Sequence, residues 1–338
     1  MERNSKRKKR SPIAVILRAI ACVIAALLLV YAALMLVIPA FETVDRTLAE
    51  GSADWMKGLD DGMPISEVVL PGTHDSAASN VRLAFFSKCQ ALSVVDQLEA
   101  GFRYLDIRLA SDGERLKLVH GFVECKENAA PWSKPLYLDS VLEGCYAFLE
   151  AHPTEFVVFA AKKDHGDDPD THVSGLLDAL IEKAPGRWLL TDSIPTVGEA
   201  RGKLVLMRRW TNDEGADTFS GIRFSWTDQP NREMTAENTV MTDNGSYTLW
   251  VQDRYKYGTE DKWTAFISGF KDGKSDGGNI LLNFLSTNGT AKFGHPYTHA
   301  KALNARFLEI DRELKGWIIV DFASSAIAQK IYSANFCE

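Results

Sequence analysis

A chain of 338 residues with 46% apolar and 25% charged side chains has the make-up of a globular protein, with room for one catalytic domain of barrel size plus an extension. The net charge of −7, with no basic stripe once the N-terminus is set aside, speaks against a nucleic-acid binder. The sequence shows neither an internal repeat nor a low-complexity tract.

Residues 1–12 carry Arg3, Lys6, Arg7, Lys8, Lys9 and Arg10, and Ala19 to Pro39 then run 21 residues without a charge. As a helix of ~1.5 Å rise per residue this run is about 30 Å long, the thickness of a bilayer core. The pattern predicts a basic cytoplasmic segment over 1–12 and a transmembrane signal-anchor over 13–41. Everything after Phe41 then lies outside the cell membrane. Arg18 can snorkel to the cytoplasmic interface. A signal peptide cleaved at Ala40 competes, giving a secreted protein; its apolar region should run only about 7–15 residues, which favours the uncleaved anchor.

Residues 42–66 read as a connector with one short helix around Trp55–Leu59, and 67–338 as the catalytic domain. Short β-rich runs begin at Val68 and recur at Tyr104–Leu109, Leu116–Val119, Phe156–Ala161, Leu204–Met207, Leu249–Val251, Ile280–Phe284 and Trp317–Val320. Helical segments fall between them: Val94–Ala100 ended by Gly101, Ser140–Ala151 with Asp139 as N-cap and His152-Pro153 as stop, Thr171–Ala184, and Tyr297–Lys315. The acidic loop Asp164–Asp170 reads as a solvated connection, with a cation site as the alternative. Residues 211–247 read as rim loops, and Lys271–Gly278 as a Gly-rich turn. Eight strands alternating with helices predict an α/β fold, a (β/α)8 TIM-type barrel whose active site lies at the C-terminal strand ends.

Cysteines follow the same division. Cys22 lies in the apolar N-terminal run. Cys145 shares the face Val141, Leu142, Phe148 and Leu149 of its helix and reads as a buried core thiol. Beyond the anchor, Cys89, Cys125, Cys145 and Cys337 permit two disulfides in three connectivities, and Cys89 with Cys125, in two polar rim segments on the oxidised side, is the first pair expected.

Nearly every strand ends on a charged or polar residue. His74 with Asp75 follows the first, and His120 ends the third. Lys162, Arg209, Asp253 with Tyr255, and Asp321 follow later ones. Asp106 and Arg108 alternate onto one face of the second strand. Two histidines at separate strand ends, each with a carboxylate candidate, suit a reaction that needs one base and one acid at the same centre. A single loop histidine is more often a satisfied structural residue, but that explanation must here hold twice and also account for the arginine and the two aspartates. Lys162, Arg209 and Asp253 are individually weaker, since charged residues after strands are often only solvated. An arginine beside an inward aspartate, by contrast, needs an anionic partner.

The stretches Leu70-Pro71-Gly72-Thr73-His74-Asp75-Ser76, Arg103-Tyr104-Leu105-Asp106-Ile107-Arg108, Val119-His120-Gly121, Phe148–Glu155 and Ile319-Val320-Asp321-Phe322 together resemble the bacterial phosphatidylinositol-specific phospholipase C family over roughly residues 65–330. The resemblance implies a distorted, incompletely closed TIM barrel and cleavage of phosphatidylinositol to diacylglycerol and inositol 1,2-cyclic phosphate. His74 is then the general base, held by Asp321, and His120 the general acid, held by Asp106. Arg108 neutralises the phosphate where metal-dependent relatives hold calcium, so no metal or other cofactor is implied. Lys162, Arg209, Asp253 and Tyr255 match the inositol-contacting positions, and the role of Asp75 stays open. The implied partner is a phospholipid at the membrane surface, acted on by a monomer. Two rivals stand beside this: a phosphodiesterase acting on a glycerophosphodiester or a glycosylated inositol lipid, and a non-catalytic lipid-binding barrel anchored at the membrane. The second is disfavoured because both histidines are present.

Overall fold

The computed structural model describes residues 11–209, 221–223, 226, 228–229, 240–243, 245–291 and 294–336. The chain forms two compact units, 1–42 and 43–338. In the first, an apolar helix runs over Pro12–Ala40, with an 18-residue stretch of mean hydropathy 2.9 that buries none of its residues inside the protein. By length and composition it can cross a membrane; Leu27 and Leu29 are 64% and 72% exposed, the inverse of a water-soluble helix.

Among the described residues the second unit has twelve strands: β1 (Leu70–Thr73), β2 (Tyr104–Asp112), β3 (Arg115–His120), β4 (Val123–Glu124), β5 (Val157–Lys163), β6 (Trp188–Leu189), β7 (Leu204–Arg208), β8 (Ile222–Arg223), β9 (Val240–Asp243), β10 (Thr248–Gln252), β11 (Asn279–Phe284) and β12 (Trp317–Val320). They order as β6-β7-β5-β2-β1-β12-β11-β10-β9, with β8 also on β7. All neighbours from β6 to β10 are parallel, and β9 closes the edge antiparallel to β10. No pairing joins β9 to β6 or β8 among the described residues, so the sheet curls as a TIM-type barrel that stays open at one seam.

The expected barrel strand at Leu116–Val119 is corrected. It belongs to β3, which pairs antiparallel with β2, Asp112 opposite Arg115. The two residues between them, Gly113 (φ 62°) and Glu114, make a hairpin, whereas a parallel neighbour needs a crossover of a dozen residues or more. In its place the short β6 and β8 pair parallel with β7, one toward each of its ends.

Alternation on β2 sorts the core. Leu105, Ile107 and Leu109 pack outward with Val157, Phe159 and Ala161 of β5 against the helix Leu138–Ala151 and the helix Asp170–Glu182. Tyr104 faces the inner cluster with Val158, Ala160, Met207, Leu282 and Trp317, which places Asp106 and Arg108 inside. Gly72 lets β1 approach both neighbours: a Cβ there would stand 2.9 Å from Tyr104 Cβ and 3.0 Å from Ile319 Cγ1.

Other expectations shift locally. The helix Leu138–Ala151 begins at Tyr137 without a side-chain cap, and Asp139 sits in its first turn, paired with Arg115 at 2.8 Å. The helix Pro296–Glu309 ends well before Lys315. Within the expected rim loops, the described residues include β8 and β9; most of 210–239 lies outside them, as does Cys337. Cys145 is buried as expected. The expected disulfide is corrected: Cys89 and Cys125 are free buried thiols. The rim segments fold inward, and Cys89 Sγ faces His120 Nδ1 at 3.6 Å.

Candidate active site

Register explains why the first histidine meets its carboxylate. Thr73 of β1 is opposite Val320 of β12, so the next residues, His74 and Asp321, emerge side by side. His74 Nδ1 lies 2.8 Å from Asp321 Oδ1. Both strands then turn sharply through left-handed residues, Asp75 at φ 43° and Phe322 at φ 50°. Gln90 secures the pair of turns: its Nε2 donates to the carbonyls of His74 (2.7 Å) and Val320 (3.0 Å), and its Oε1 accepts from Ala323 N. Strained non-glycine turns held by buried hydrogen bonds are where functional sites store backbone strain.

The second histidine arrives by the hairpin. Because β3 folds back on β2, Leu118 opposite Leu109, its end returns to the level of Arg108. His120 Nδ1 donates to the carbonyl of Ser87 at 2.8 Å, which leaves Nε2 to face Asp75 Oδ2 at 3.4 Å. The two imidazoles are edge to face with centroids 6.2 Å apart.

Arg108 lies against His74, and Asp75 stands close to Arg108 and to both imidazoles. Arg108 Nε and Nη2 donate to Asp106 Oδ2 at 3.1 and 3.0 Å, and Nη2 also reaches His74 Nε2 at 2.9 Å. Nη1 is held more loosely, 3.3 Å from Asp75 and 3.5 Å from Asp164. Burial works against this charge, but the carboxylates of Asp106, Asp75 and Asp164 outweigh it and fix the guanidinium as a cation. Burial likewise lowers the His74 pKa, and Asp321, by charge and hydrogen bond, raises it to about 9. Asp106, despite burial, is held below the usual carboxylate range by Arg108. Burial raises Asp75, against the pull of Arg108 and both histidines.

The expected contact between Asp106 and His120 is corrected. Asp106 Oδ2 is taken by Arg108 and by the Asp75 backbone N–H at 3.1 Å. The carboxylate beside His120 is Asp75, because the left-handed turn after β1 swings its side chain to the hairpin side.

A cavity of about 270 Å³ opens over this centre. It is lined by eight of the ten residues singled out in the sequence: His74, Arg108, His120, Lys162, Arg209, Asp253, Tyr255 and Asp321. Asp75 and Asp106 stand behind the lining. Arg108 and Lys162 are opposite each other on β2 and β5. Arg209, whose guanidinium stacks 3.5 Å over Trp226, follows β7; burial lowers its pKa against the opposing charge of Asp253. Tyr255 donates to Asp228 at 2.9 Å, and burial pushes its hydroxyl up.

Several lining residues were not legible beforehand. Asp164, assigned to a solvated loop, turns inward: it accepts from Lys162 Nζ at 2.6 Å and from Gly121 N at 2.7 Å, and burial does not keep Arg108 and Lys162 from holding it far below the ordinary value. Its position directly after β5 was the available signal. Cys89, Asp228 and Asn288 also reach the cavity, from loops without periodicity.

Fold and cavity define a TIM-type barrel enzyme with its polar centre at the C-terminal strand ends. The family model PI-PLC X 1 matches residues 62–167. The 1-phosphatidylinositol phosphodiesterase of Staphylococcus aureus (strain Newman) is 30% identical over 304 residues, covering 82% of this chain and 90% of the relative. That of Listeria monocytogenes serovar 1/2a is 28% identical over 301 residues, covering 83% and 84%. A solved phosphatidylinositol-specific phospholipase C from Staphylococcus aureus superposes with a TM-score of 0.69 at 26% identity, over 85% of this chain and 99% of that one. The chain belongs to the bacterial phosphatidylinositol-specific phospholipase C family.

Proposed function

We propose that this enzyme cleaves phosphatidylinositol to diacylglycerol and inositol 1,2-cyclic phosphate. The observation that carries the reading is that His74, His120 and Arg108 line one cavity, with both imidazoles and the guanidinium converging on Asp75. His74 Nε2, with Nδ1–H directed at Asp321, takes the proton from the inositol 2-hydroxyl. The 2-oxygen attacks the adjacent phosphorus, the bond to the glycerol oxygen breaks, and His120 Nε2 delivers a proton to that leaving oxygen. Arg108 gives its loosely held Nη1 edge to the phosphate and carries the charge of the phosphorane-like state without a metal. Asp75, beside both Arg108 and His120, keeps the acid oriented. Lys162, Arg209, Asp253 and Tyr255 would receive the inositol ring, whose hydroxyls suit alternating donors and acceptors. Cyclic-phosphate opening by water uses the two histidines in exchanged roles.

The apolar helix Pro12–Ala40, with its basic flank, serves as an uncleaved anchor that keeps the barrel on the outer face of the cell membrane, next to its substrate. The unit 43–338 works as a monomer. Resistance of the full chain to extraction by high salt, and its release by detergent, tests the anchor.

The acid and base roles have separable signatures. His74→Ala removes the base and lowers the rate by roughly 10²–10⁴-fold whatever the leaving group. His120→Ala matters only for a poor leaving group, so an inositol phosphodiester of an acidic phenol restores much of its rate. Equal rescue of both variants, or near-normal activity of either on phosphatidylinositol, contradicts the assignment. The double variant should be little slower than His74→Ala alone, since both groups act on one transition state.

A further inference from the structure

Cys89 brings a thiol to the cavity wall, and the reaction has no use for it. Its Sγ is buried, stands 3.6 Å from His120 Nδ1, and forms two clusters of potential ligand atoms, one with Asp75 and His120 and one with His74 and Asp321, each within 4.8 Å. In the second, His74 Nδ1 and Asp321 are already joined at 2.8 Å, and the Arg108 guanidinium contacts the same ring at 2.9 Å. The first is better prepared. Asp75 is 2% exposed, and its Oδ2 accepts no hydrogen bond, the nearest cationic or imidazole nitrogens standing 3.3–3.6 Å away.

We propose that Asp75, Cys89 and His120 form an inhibitory site for a thiophilic divalent cation of the zinc and cadmium class. His120 donates Nδ1–H to the Ser87 carbonyl, the outer contact that fixes Nε2 as the ligating nitrogen of metal-bound histidines. The Asp75 Oδ2 to His120 Nε2 distance of 3.4 Å is already that of two ligands on one tetrahedral zinc with bonds of about 2.0–2.3 Å. The thiol selects against calcium and magnesium, which take oxygen ligands. On binding, the Cys89 S–H bond is replaced by an S–metal bond and the proton leaves to solvent. The cation's fourth position faces the cavity. Arg108 nearby limits affinity without closing the site. Occupancy removes the Nε2 lone pair of His120, and with it the proposed acid.

Cation binding rests on the cluster alone, whereas its effect on rate rests on the role given to His120, and two readouts separate them. The full chain in detergent micelles, thiols kept reduced by a phosphine, is titrated with zinc chloride while phosphatidylinositol cleavage is followed. Each variant is normalised to its own metal-free rate. Zinc should lower the wild-type rate about tenfold or more, a chelator should restore it, and Cys89→Ser and Cys89→Ala should each need about tenfold more zinc or beyond. In parallel, cobalt(II) should give a thiolate-to-metal charge-transfer band with wild type and not with either variant. Absence of that band, or equal zinc sensitivity of wild type and both variants, overturns the site. A cobalt–thiolate band without loss of rate keeps the site and overturns the acid role of His120.

Discussion

Arg103, just before β2, and Arg108, in the middle of that strand, lie five residues apart, both inside the fold, and the protein uses them in opposite ways. Arg103 is 0% exposed and every one of its nitrogens donates to a fixed acceptor. Nε and Nη2 hold Glu155 at 3.0 and 2.9 Å, and Nη1 and Nη2 reach the carbonyls of Leu98, Phe102 and Ala53. Glu155 in turn accepts from Met56 N, tying the connector to the barrel floor. Arg108 has two well-made bonds to Asp106, while its Nη1 edge stands at 3.3–3.5 Å from two carboxylates and lines the cavity. A buried charge with every donor used is structural. One left with a loose edge toward an open cavity can hand donors to an arriving anion without dismantling its surroundings.

Conservative replacements break the comparison most clearly. Arg108→Lys keeps the charge but loses the planar fork, and kcat/KM should fall by about 10²–10³-fold with little change in melting temperature. Arg103→Lys should do the reverse. Three donors cannot serve Glu155 and the carbonyls together, so stability measured by denaturant should drop by about 2–4 kcal/mol, with the folded fraction retaining its turnover. Loss of turnover in Arg103→Lys at full folding, or unfolding of Arg108→Lys, would put the division of labour at fault.

A smaller effect sharpens the catalytic side. His74 must be unprotonated to act, so the rate rises with pH through its pKa, which Asp321 raises to about 9. Asp321→Asn removes the charge that favours imidazolium, the pKa falls, and the rising limb of kcat/KM against pH should move down by about 1–2 units, along with a lower plateau. An unmoved limb would show that another group sets it. The smallest expected effect is none at all. Because Arg108 occupies the centre, excess chelator should leave turnover intact, and an abolished rate restored by calcium contradicts metal-independent catalysis.

Legibility differed between the two ends in the same way. The motif around His74, the alternation that put Asp106 and Arg108 on one face, and Asp321 after an apolar run could all be read, because strand periodicity and strand-end chemistry are local. The helix Thr259–Asp272 and the helix Ser325–Tyr332 escaped notice. In the first, Lys262 lies buried on the inner face and donates to Gln252 at 3.0 Å, which blurs the apolar stripe.

The sequence by itself determined the parallel αβ alternation, the apolar N-terminal helix and the set of side chains delivered to one rim, since these follow from periodicity and from where charges interrupt it. Only the tertiary structure decided that β3 is a hairpin arm, that Asp75 rather than Asp106 stands beside His120, that Asp164 turns inward, and that Cys89 faces an imidazole instead of Cys125. Each of those depends on register or on a left-handed turn, Leu109 opposite Leu118 and Asp75 at φ 43°. Such choices are settled by which strands pair and which backbone strain the surrounding hydrogen bonds can hold, and these are contacts between residues far apart in the chain.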